Sequence, residues 1–396
     1  MRLLISAGEA SGEMYGAGLL DALRTKVAAR PDLAPLECFG VGGQLMRAAG
    51  CDIVVDASRI AVVGLFEVVK HLPGIYAEFH RVLREVDCRR PDVAVLIDFP
   101  DWNLRLAREL HARGIPVLYY VSPQLWAWRR GRISLVKDYV RKMLVIFPFE
   151  REFYASHGVE AEFVGHPLGR LEPPKVSRAC FAQEYRLDES KPWVALLPGS
   201  RRGEVCRHVK EMIGAAVLLG DGYEYLVPVA STLERNWVEQ QAQSACRQFE
   251  RPASANHSGY PRFTCVADAR TALLLSRAAV VASGTATVEA AVLGTPSVMV
   301  YRVAPLTYAF GKRLVKVPFY SMPNLIAGRE VIPELVQHDF TAQNVFDCLS
   351  DILEEGTARQ NMIAGLAEVR EKLRGNALVS PNEQAADAVL NVLARR

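Results

Sequence analysis

Few of the usual signposts are present in this chain, and each absence removes a class of function. Its eight cysteines are scattered and none forms a C-x-x-C pair. Neither a zinc site nor a disulfide framework is therefore expected, and the reduced thiols of a cytosolic protein fit the spacing. No run of about 18 apolar residues occurs, so no membrane-spanning helix is expected. The opening residues Met1–Gly8 carry too short an apolar stretch for a signal peptide and read as a first strand, which predicts a chain that stays on the cytoplasmic side. Charge of one sign is lacking too. Lys and Arg number 47 against 44 Asp and Glu, a formal net charge of +3. A dedicated nucleic-acid binder needs a strongly basic face or run, so no nucleic-acid partner is expected. Mild basicity remains compatible with phosphorylated substrates or an anionic membrane surface.

Sequence motifs are missing as well. There is no H-E-x-x-H, no paired set of metal ligands, no nucleophile elbow and no G-K-[ST] loop. Metalloprotease, hydrolase and NTPase readings fall away with them. Gly40-Val41-Gly42-Gly43 stops short of the full G-x-G-x-x-G spacing, which demotes a nicotinamide enzyme. Neither an internal repeat nor a low-complexity segment is visible.

What is present is a long alternation of short apolar runs with helical patterns. Half of the 396 residues are apolar, enough core for two or three domains. Strands are expected at Leu3–Ala7, Val93–Ile97, Val117–Val121 and Leu144–Phe147. A helix over Leu104–Ala112 would be capped by Asp101 or Asn103 and ended by Gly114 and Pro116. The pattern restarts beyond Pro167 and Pro173-Pro174, with strands expected at Val194–Leu197, Tyr225–Val229, Phe263–Val266, Val280–Ala282 and Val298–Tyr301. The fold class expected is α/β: two doubly wound, Rossmann-like domains facing across a cleft. Their boundaries are set at 1–167 and 168–375, with a C-terminal helix in 376–396 that packs back on the first domain. Ligands of such sheets bind beyond the carboxyl ends of the strands, and every motif below lies at such an end.

The most informative stretch is Val280-Val281-Ala282-Ser283-Gly284-Thr285-Ala286-Thr287-Val288-Glu289. A buried strand gives way to small and hydroxyl residues and then to a helix. Small residues let a phosphate approach backbone N–H groups at the positive end of the helix. Glu289, one turn in, is placed to accept hydrogen bonds from the two hydroxyls of a ribose. The plainer alternative is an ordinary turn capped by Ser283 or Thr285. Leu197-Pro198-Gly199-Ser200-Arg201-Arg202-Gly203-Glu204 is the matching loop earlier in the same half. There Arg201 can neutralise a diphosphate and stabilise it as a leaving group, and Arg202 takes the part of a solvated surface residue.

In the first half, Gly8-Glu9-Ala10-Ser11-Gly12-Glu13 can bind a sugar or phosphate through its backbone and Ser11, with Glu9 as a charged contact; a tight βα loop is the alternative. Asp98-Phe99-Pro100-Asp101-Trp102-Asn103 follows an apolar run. A carboxylate at such a strand end gains a raised pKa from partial burial and becomes a useful base. Asp98 is the catalytic candidate and Asp101 a helix cap. Trp126 and Trp128 either stack on sugars or fill a domain contact. His166 is read as structural, and Tyr320–Leu325 as a turn around the amide of Asn324. The segment Ile60–Tyr76 is unusually apolar and must meet core, a partner or lipid.

Together these motifs resemble lipid A disaccharide synthase, a bacterial glycosyltransferase family. The resemblance runs in order through Gly8–Glu13, Gly40–Gly43, Asp98–Asn103, Ser122–Trp128, Gly165–Leu168, Leu197–Glu204, Ser283–Glu289 and Met322–Gly328. Glu13 departs from it, since the family usually shows Asp there. The resemblance implies a B-type two-domain glycosyltransferase of lipid A, and hence lipopolysaccharide, biosynthesis in a Gram-negative-type envelope. It implies transfer of 2,3-diacylglucosamine from UDP to 2,3-diacylglucosamine 1-phosphate, giving a β-1,6 disaccharide phosphate and UDP with inversion. No metal or other cofactor is implied. Asp98 would be the base and Arg201 would face the leaving diphosphate. Ser200, Ser283, Gly284, Thr285, Ala286, Thr287, Glu289 and Asn324 would hold the donor. Glu9, Ser11 and Gly12 would lie on the acceptor side, in a first domain that also faces the membrane.

Acylated substrates in the inner leaflet further imply peripheral attachment to the inner membrane, with Val62, Leu65, Phe66, Val69 and Leu72 as the lipid contacts. Family analogy leaves room for a homodimer, domain-swapped in form, which no residue pattern here demonstrates. Three rivals stand beside this reading: a glycosyltransferase using an undecaprenyl-linked acceptor, a UDP-sugar 2-epimerase, and an inactive nucleotide-binding membrane adaptor.

Overall fold

The computed structural model describes residues 1–60, 65–249, 261–305, 307–308, 317–376 and 378–394, and of Ala10 and residues 65–72 the backbone alone. The chain forms two compact units, Met1–Pro167 with Leu373–Arg396, and Leu168–Lys372.

Unit 1 holds seven strands: β1 (Arg2–Ala7), β2 (Glu37–Gly42), β3 (Asp52–Asp56), β4 (Val93–Ile97), β5 (Val117–Tyr120), β6 (Lys142–Val145) and β7 (Ala161–Phe163). All pairings are parallel and the order is β3-β2-β1-β4-β5-β6-β7. The two-residue period of a strand sends alternate side chains to opposite faces. Leu3, Ile5, Val93, Val95 and Ile97 enter one core, while Leu4, Ala94 and Leu96 enter the other. The first core is closed by the final helix Pro381–Ala394, whose Ala385, Ala386 and Val389 are fully buried in it. Gly40 lets β2 lie close to β1, because a Cβ there would stand 1.9 Å from the Ile5 carbonyl oxygen.

Unit 2 repeats the plan with β8 (Trp193–Leu197), β9 (Glu224–Pro228), β10 (Phe263–Val266), β11 (Ala278–Ala282), β12 (Ser297–Tyr301) and β13 (Glu334–Val336). The order is β10-β9-β8-β11-β12-β13, again parallel. Both sheets are doubly wound. Each reverses direction at one place, between β1 and β4 and between β8 and β11, and such switch points open a crevice for ligands.

Three differences from the sequence reading concern local structure. The helix after β4 begins at Pro100, with left-handed Phe99 before it and no side-chain cap. Proline at the first helical position starts it, because its missing N–H is one the helix leaves unpaired anyway. Asp101 and Asn103 are therefore not caps. The fourth expected strand, Leu144–Phe147, lies two residues earlier, since Pro148 already opens the helix Pro148–Ser156.

Candidate active site

The loops after β1, β4, β8 and β11 flank the two switch points, and they carry four of the eight motifs. After β4, Asp98 and Phe99 adopt left-handed φ values of 46° and 49°. For residues other than glycine such a conformation costs on the order of 1–3 kcal/mol each and persists where the surroundings hold it. The Asp98 N–H donates to the Tyr120 carbonyl at 3.2 Å. Its own carbonyl accepts from Asn103 Nδ2 at 2.8 Å and from the Tyr119 hydroxyl at 2.6 Å. Asn103 is fully buried and also ties in β1, accepting from Ser6 Oγ at 2.7 Å.

Phe99 lies on Gly8, where a Cβ would come within 2.3 Å of its ring. The Asp98 backbone is thus clamped from three sides while its carboxyl is left to titrate. Burial first, and then the negative charge of Glu9, push that carboxyl up to about 6, against the Phe99 N–H.

On the β1 side, Glu9 is exposed and precedes the helix Ala10–Ala28 without capping it through its side chain. Ser11 is half-buried and Gly12 buried. Glu13 turns away from this loop. Its carboxylate accepts from the Leu45 N–H at 2.6 Å and sits where a Cβ on Gly43 would be, 2.7 Å from both oxygens. The longer side chain thus ties the first helix to the start of the Gln44–Ala48 helix.

Of the tryptophans, Trp126 is buried and donates to Glu150 at 3.2 Å, whereas Trp128 is 39% exposed under the Arg129 guanidinium. Glu150, a group the sequence reading passed over, is fully buried and also accepts from the Phe147 N–H at 3.1 Å. Burial pushes its carboxyl up to about 8, opposed by those two donors. His166 is buried, which lowers its pKa to about 3 and keeps the ring neutral.

In unit 2 the loops are held differently. Gly199 takes φ 120°, and a Cβ there would strike the Glu204 carboxylate at 2.5 Å. That carboxylate accepts from the N–H groups of Ser200 and Arg201 at 3.0 and 3.2 Å, fixing the loop at the start of the helix Arg202–Leu219. The Arg201 side chain is two-thirds exposed and touches Glu204 only at 3.5 Å. Arg202 pairs with Glu234 at 2.9 Å and covers Trp237, a surface role.

After β11, Gly284 has φ 151° and open space on its Cβ side, and no side chain caps the helix Thr285–Leu293. Gly284 and Thr285 are exposed and Ala286 half-buried. Ser283 is fastened through its N–H to Val300 at 3.0 Å and its hydroxyl to the Tyr320 carbonyl at 3.3 Å. Thr287 is buried and bonds back to Gly284 at 2.7 Å. An uncapped helix start leaves backbone N–H groups without partners inside the helix, the arrangement that favours a bound anion.

Glu289 lies in the second turn. Arg270 takes its Oε1 through Nε at 2.9 Å and Nη2 at 2.8 Å, leaving Oε2 without a partner among the described residues. No local pattern linked these two, which are 19 positions apart. Asn324 is fully buried. Its oxygen accepts from the Val331 and Ile332 N–H groups, and its amide donates to the Ile332 carbonyl and Glu334. That exhausts the side chain's hydrogen-bonding capacity and ties the helix Met322–Ala327 to the Val331–Glu334 stretch. Leu65, Phe66, Val69 and Leu72 lie in the helix Leu65–Arg89, whose Pro73 is internal. Val62 lies outside the described residues.

Two Rossmann-like units, each a doubly wound parallel sheet, define the B-type glycosyltransferase fold class, which sugar-nucleotide epimerases share. The S. aureus MnaA–UDP structure superposes with a TM-score of 0.64 over 99% of this chain and 97% of that one, at 12% identity. Acinetobacter baumannii MurG gives 0.55 over 100% and 99%, at 13% identity. These likenesses carry the fold alone.

Sequence comparison goes further. The lipid-A-disaccharide synthetase family matches residues 3–389. The lipid-A-disaccharide synthase of Koribacter versatilis (strain Ellin345) is 59% identical over the whole of both chains. That of Acidobacterium capsulatum is 52% identical over 94% of this chain and 91% of its own, and that of Myxococcus xanthus 40% over 99% and 97%. The chain belongs to the lipid-A-disaccharide synthetase family, and with it to the glycosyltransferases of lipid A biosynthesis.

Proposed function

We propose that this enzyme transfers 2,3-diacylglucosamine from UDP to the 6-hydroxyl of 2,3-diacylglucosamine 1-phosphate, forming the β-1,6 disaccharide 1-phosphate and releasing UDP. The observation that carries the mechanism is the Asp98 carboxyl, half-buried on a strained loop and pushed up to about 6. At neutral pH it is mostly ionised yet more basic than an ordinary aspartate, as a general base should be. It takes the proton of the acceptor hydroxyl as that oxygen attacks the anomeric carbon. The bond from that carbon to the diphosphate oxygen breaks on the opposite face, which inverts the α-linked donor to a β product.

Arg201 and the backbone donors of Gly284–Ala286 take up the charge growing on the departing diphosphate, beside Ser283. Glu289 holds the ribose through Oε2, kept in place by Arg270. Ser200 supports the Arg201 loop through its backbone bonds to Glu204 and Thr232, and Asn324 acts through the Val331–Glu334 stretch that it fastens. Ser11 and Gly12 line the acceptor side, where Glu9 tunes Asp98. Incubation with both acylated sugars tests the reading, with UDP and disaccharide followed by mass spectrometry. Equal amounts of the two are expected; UDP-sugar consumed without disaccharide, or epimerised at C2, overturns it.

The same reading sets the enzyme at the inner-membrane surface through Leu65, Phe66, Val69 and Leu72. No helix among the described residues is long and apolar enough to cross a membrane, so attachment would be peripheral. Replacing all four by Ser is expected to move the folded protein from the membrane pellet to the supernatant. A folded variant that still pellets removes this segment from the account.

A further inference from the structure

Outside the loops described above, unit 1 carries a groove of about 340 Å³ along the helix Pro100–Ala112. Its apolar lining is Phe79, Leu104 and Leu135, and Arg105, Arg108 and Arg132 stand around it with Asp101 and Glu109. The two carboxylates are already committed. Asp101 is bridged by Arg129 and Arg132, and Glu109 pairs with Arg113 at 2.9 Å. Burial raises the Asp101 carboxyl, but the hydrogen bond and charge of Arg132, with Arg129 and Arg105, outweigh it and hold the group ionised.

Arg105 and Arg108 are exposed and make no ion pair with any described residue. Like charges three apart on a helix repel, and two guanidiniums beside one apolar floor are suited to a ligand that is both anionic and greasy. The groove also connects to the catalytic loop. Its Phe79 packs edge-on against Trp102 with centroids 5.1 Å apart, Trp102 lies 6.3 Å from Phe99, and Phe99 follows Asp98.

Building on the acceptor named under the proposed function, we propose that Arg105 and Arg108 bind the acceptor's anomeric phosphate, with an acyl chain lying over Phe79, Leu104 and Leu135. The phosphate oxygens accept from the two guanidiniums, and the sugar is thereby oriented with its 6-hydroxyl toward Asp98. Arg105 and Arg108 are specificity residues: they select a phosphorylated acceptor over the same sugar without phosphate.

The test compares kcat/KM for 2,3-diacylglucosamine 1-phosphate with that for dephosphorylated 2,3-diacylglucosamine, in detergent, for the wild type and R105A/R108A. Losing charge-assisted hydrogen bonds is expected to lower the phosphorylated-to-dephosphorylated ratio about 10- to 100-fold. R105K/R108K should recover part of it, because charge survives without the planar fork. An unchanged ratio in an active R105A/R108A overturns the proposal. So does an unchanged ratio accompanied by loss of binding to phosphatidylglycerol vesicles, which would make the groove a contact for the lipid surface. If the double variant fails to fold by circular dichroism, R105Q and R108Q are read singly against the same ratio. A wild type that makes no disaccharide from either acceptor overturns the proposed reaction itself, a different failure from an unchanged ratio.

Discussion

The two switch points share one topology and are built by opposite devices. At the β1/β4 end, side chains other than glycine are forced into left-handed backbone: Asp98, Phe99 and, one strand over, Val121 at φ 62°. Part-buried hydrogen bonds from Asn103 and Tyr119 hold that strain. At the β8/β11 end the unusual φ values belong to Gly199 and Gly284, and the helix start is open and uncapped. The difference follows from the chemistry each end would perform. Proton abstraction needs a carboxyl kept from water, so that its pKa rises. Holding a diphosphate needs backbone N–H groups that a ligand can reach, and glycine leaves them uncovered. The first end is rigid around a titrating group, the second open around donors.

Asp98→Asn breaks the comparison most severely. It keeps the shape of the loop and removes the basic oxygen, so turnover should fall by about two to four powers of ten while UDP affinity, a property of the other end, stays within about twofold. The wild type should lose activity as pH falls through about 6, where Asp98 takes up its proton, and this limb should vanish in the variant. Stopped UDP release across pH 5–8 measures both. Near-normal turnover would remove Asp98 as the base.

How much of this was legible beforehand depends on where a residue sits in the sheets. Apolar strands announced themselves: the central strand Val93–Ile97 was read to the residue, and so was Phe263–Val266, an edge strand that carries no charged residue. The strands left unread were mostly edges. β3, β7 and β13 are short, and each carries Asp or Glu, as edge strands do to discourage pairing with other chains. β2 was hidden by Gly40 and Gly42, which serve close packing there.

In the candidate site, Asp98, Arg201 and Glu289 were visible because small or unusual residues surround them at strand ends. Their supports were not. Arg270 reaches Glu289 from a separate helix, and Glu150 acts across the fold on Trp126. Such partners meet only after folding, so spacing cannot reveal them. The resemblance through eight motifs reached the family, while the Asn324 side chain, read as a ligand contact, bonds to the Val331–Glu334 stretch.

A second pair of variants sharpens the division within the open end. Arg201→Ala removes charge stabilisation that grows in the transition state, and kcat is expected to drop about 100-fold. Glu289→Ala removes a contact to a part of the donor that does not react, so the donor KM should rise about tenfold with kcat nearly unchanged. Arg270→Ala should reproduce part of the Glu289 effect, because it frees the carboxylate it now orients. Steady-state kinetics with titration calorimetry for UDP separates these outcomes. If Glu289→Ala lowers kcat as far as Arg201→Ala does, binding and chemistry are not divided between the two residues.

The smallest expected effect concerns stability and belongs to unit 1, the half with the rigid, closed end, in the helix that follows β6. Glu150 titrates near 8 in the folded protein against 4.5 for an ordinary glutamate. The folded state therefore binds its proton more tightly than the unfolded chain. That contribution is complete below about pH 4.5 and is lost as pH rises through about 8. His166, held neutral with its pKa near 3, has the opposite sign: its destabilising effect fades as pH rises and is gone above about 6.5. Asp98 has finished titrating by then. The interval from pH 7 to 8 therefore isolates Glu150, where roughly 1 kcal/mol should be lost, about 2–4 °C in the Tm of a unit of this size. Glu150→Gln has no proton to lose, and its single amide oxygen can accept from only one of the two donors, Trp126 on Oε1 or Phe147 on Oε2, so its Tm starts lower. Its Tm should stay level between pH 7 and 8 while that of the wild type declines. Parallel declines in the two proteins would show that unit 1 carries no titrating carboxyl beneath its tryptophan loop.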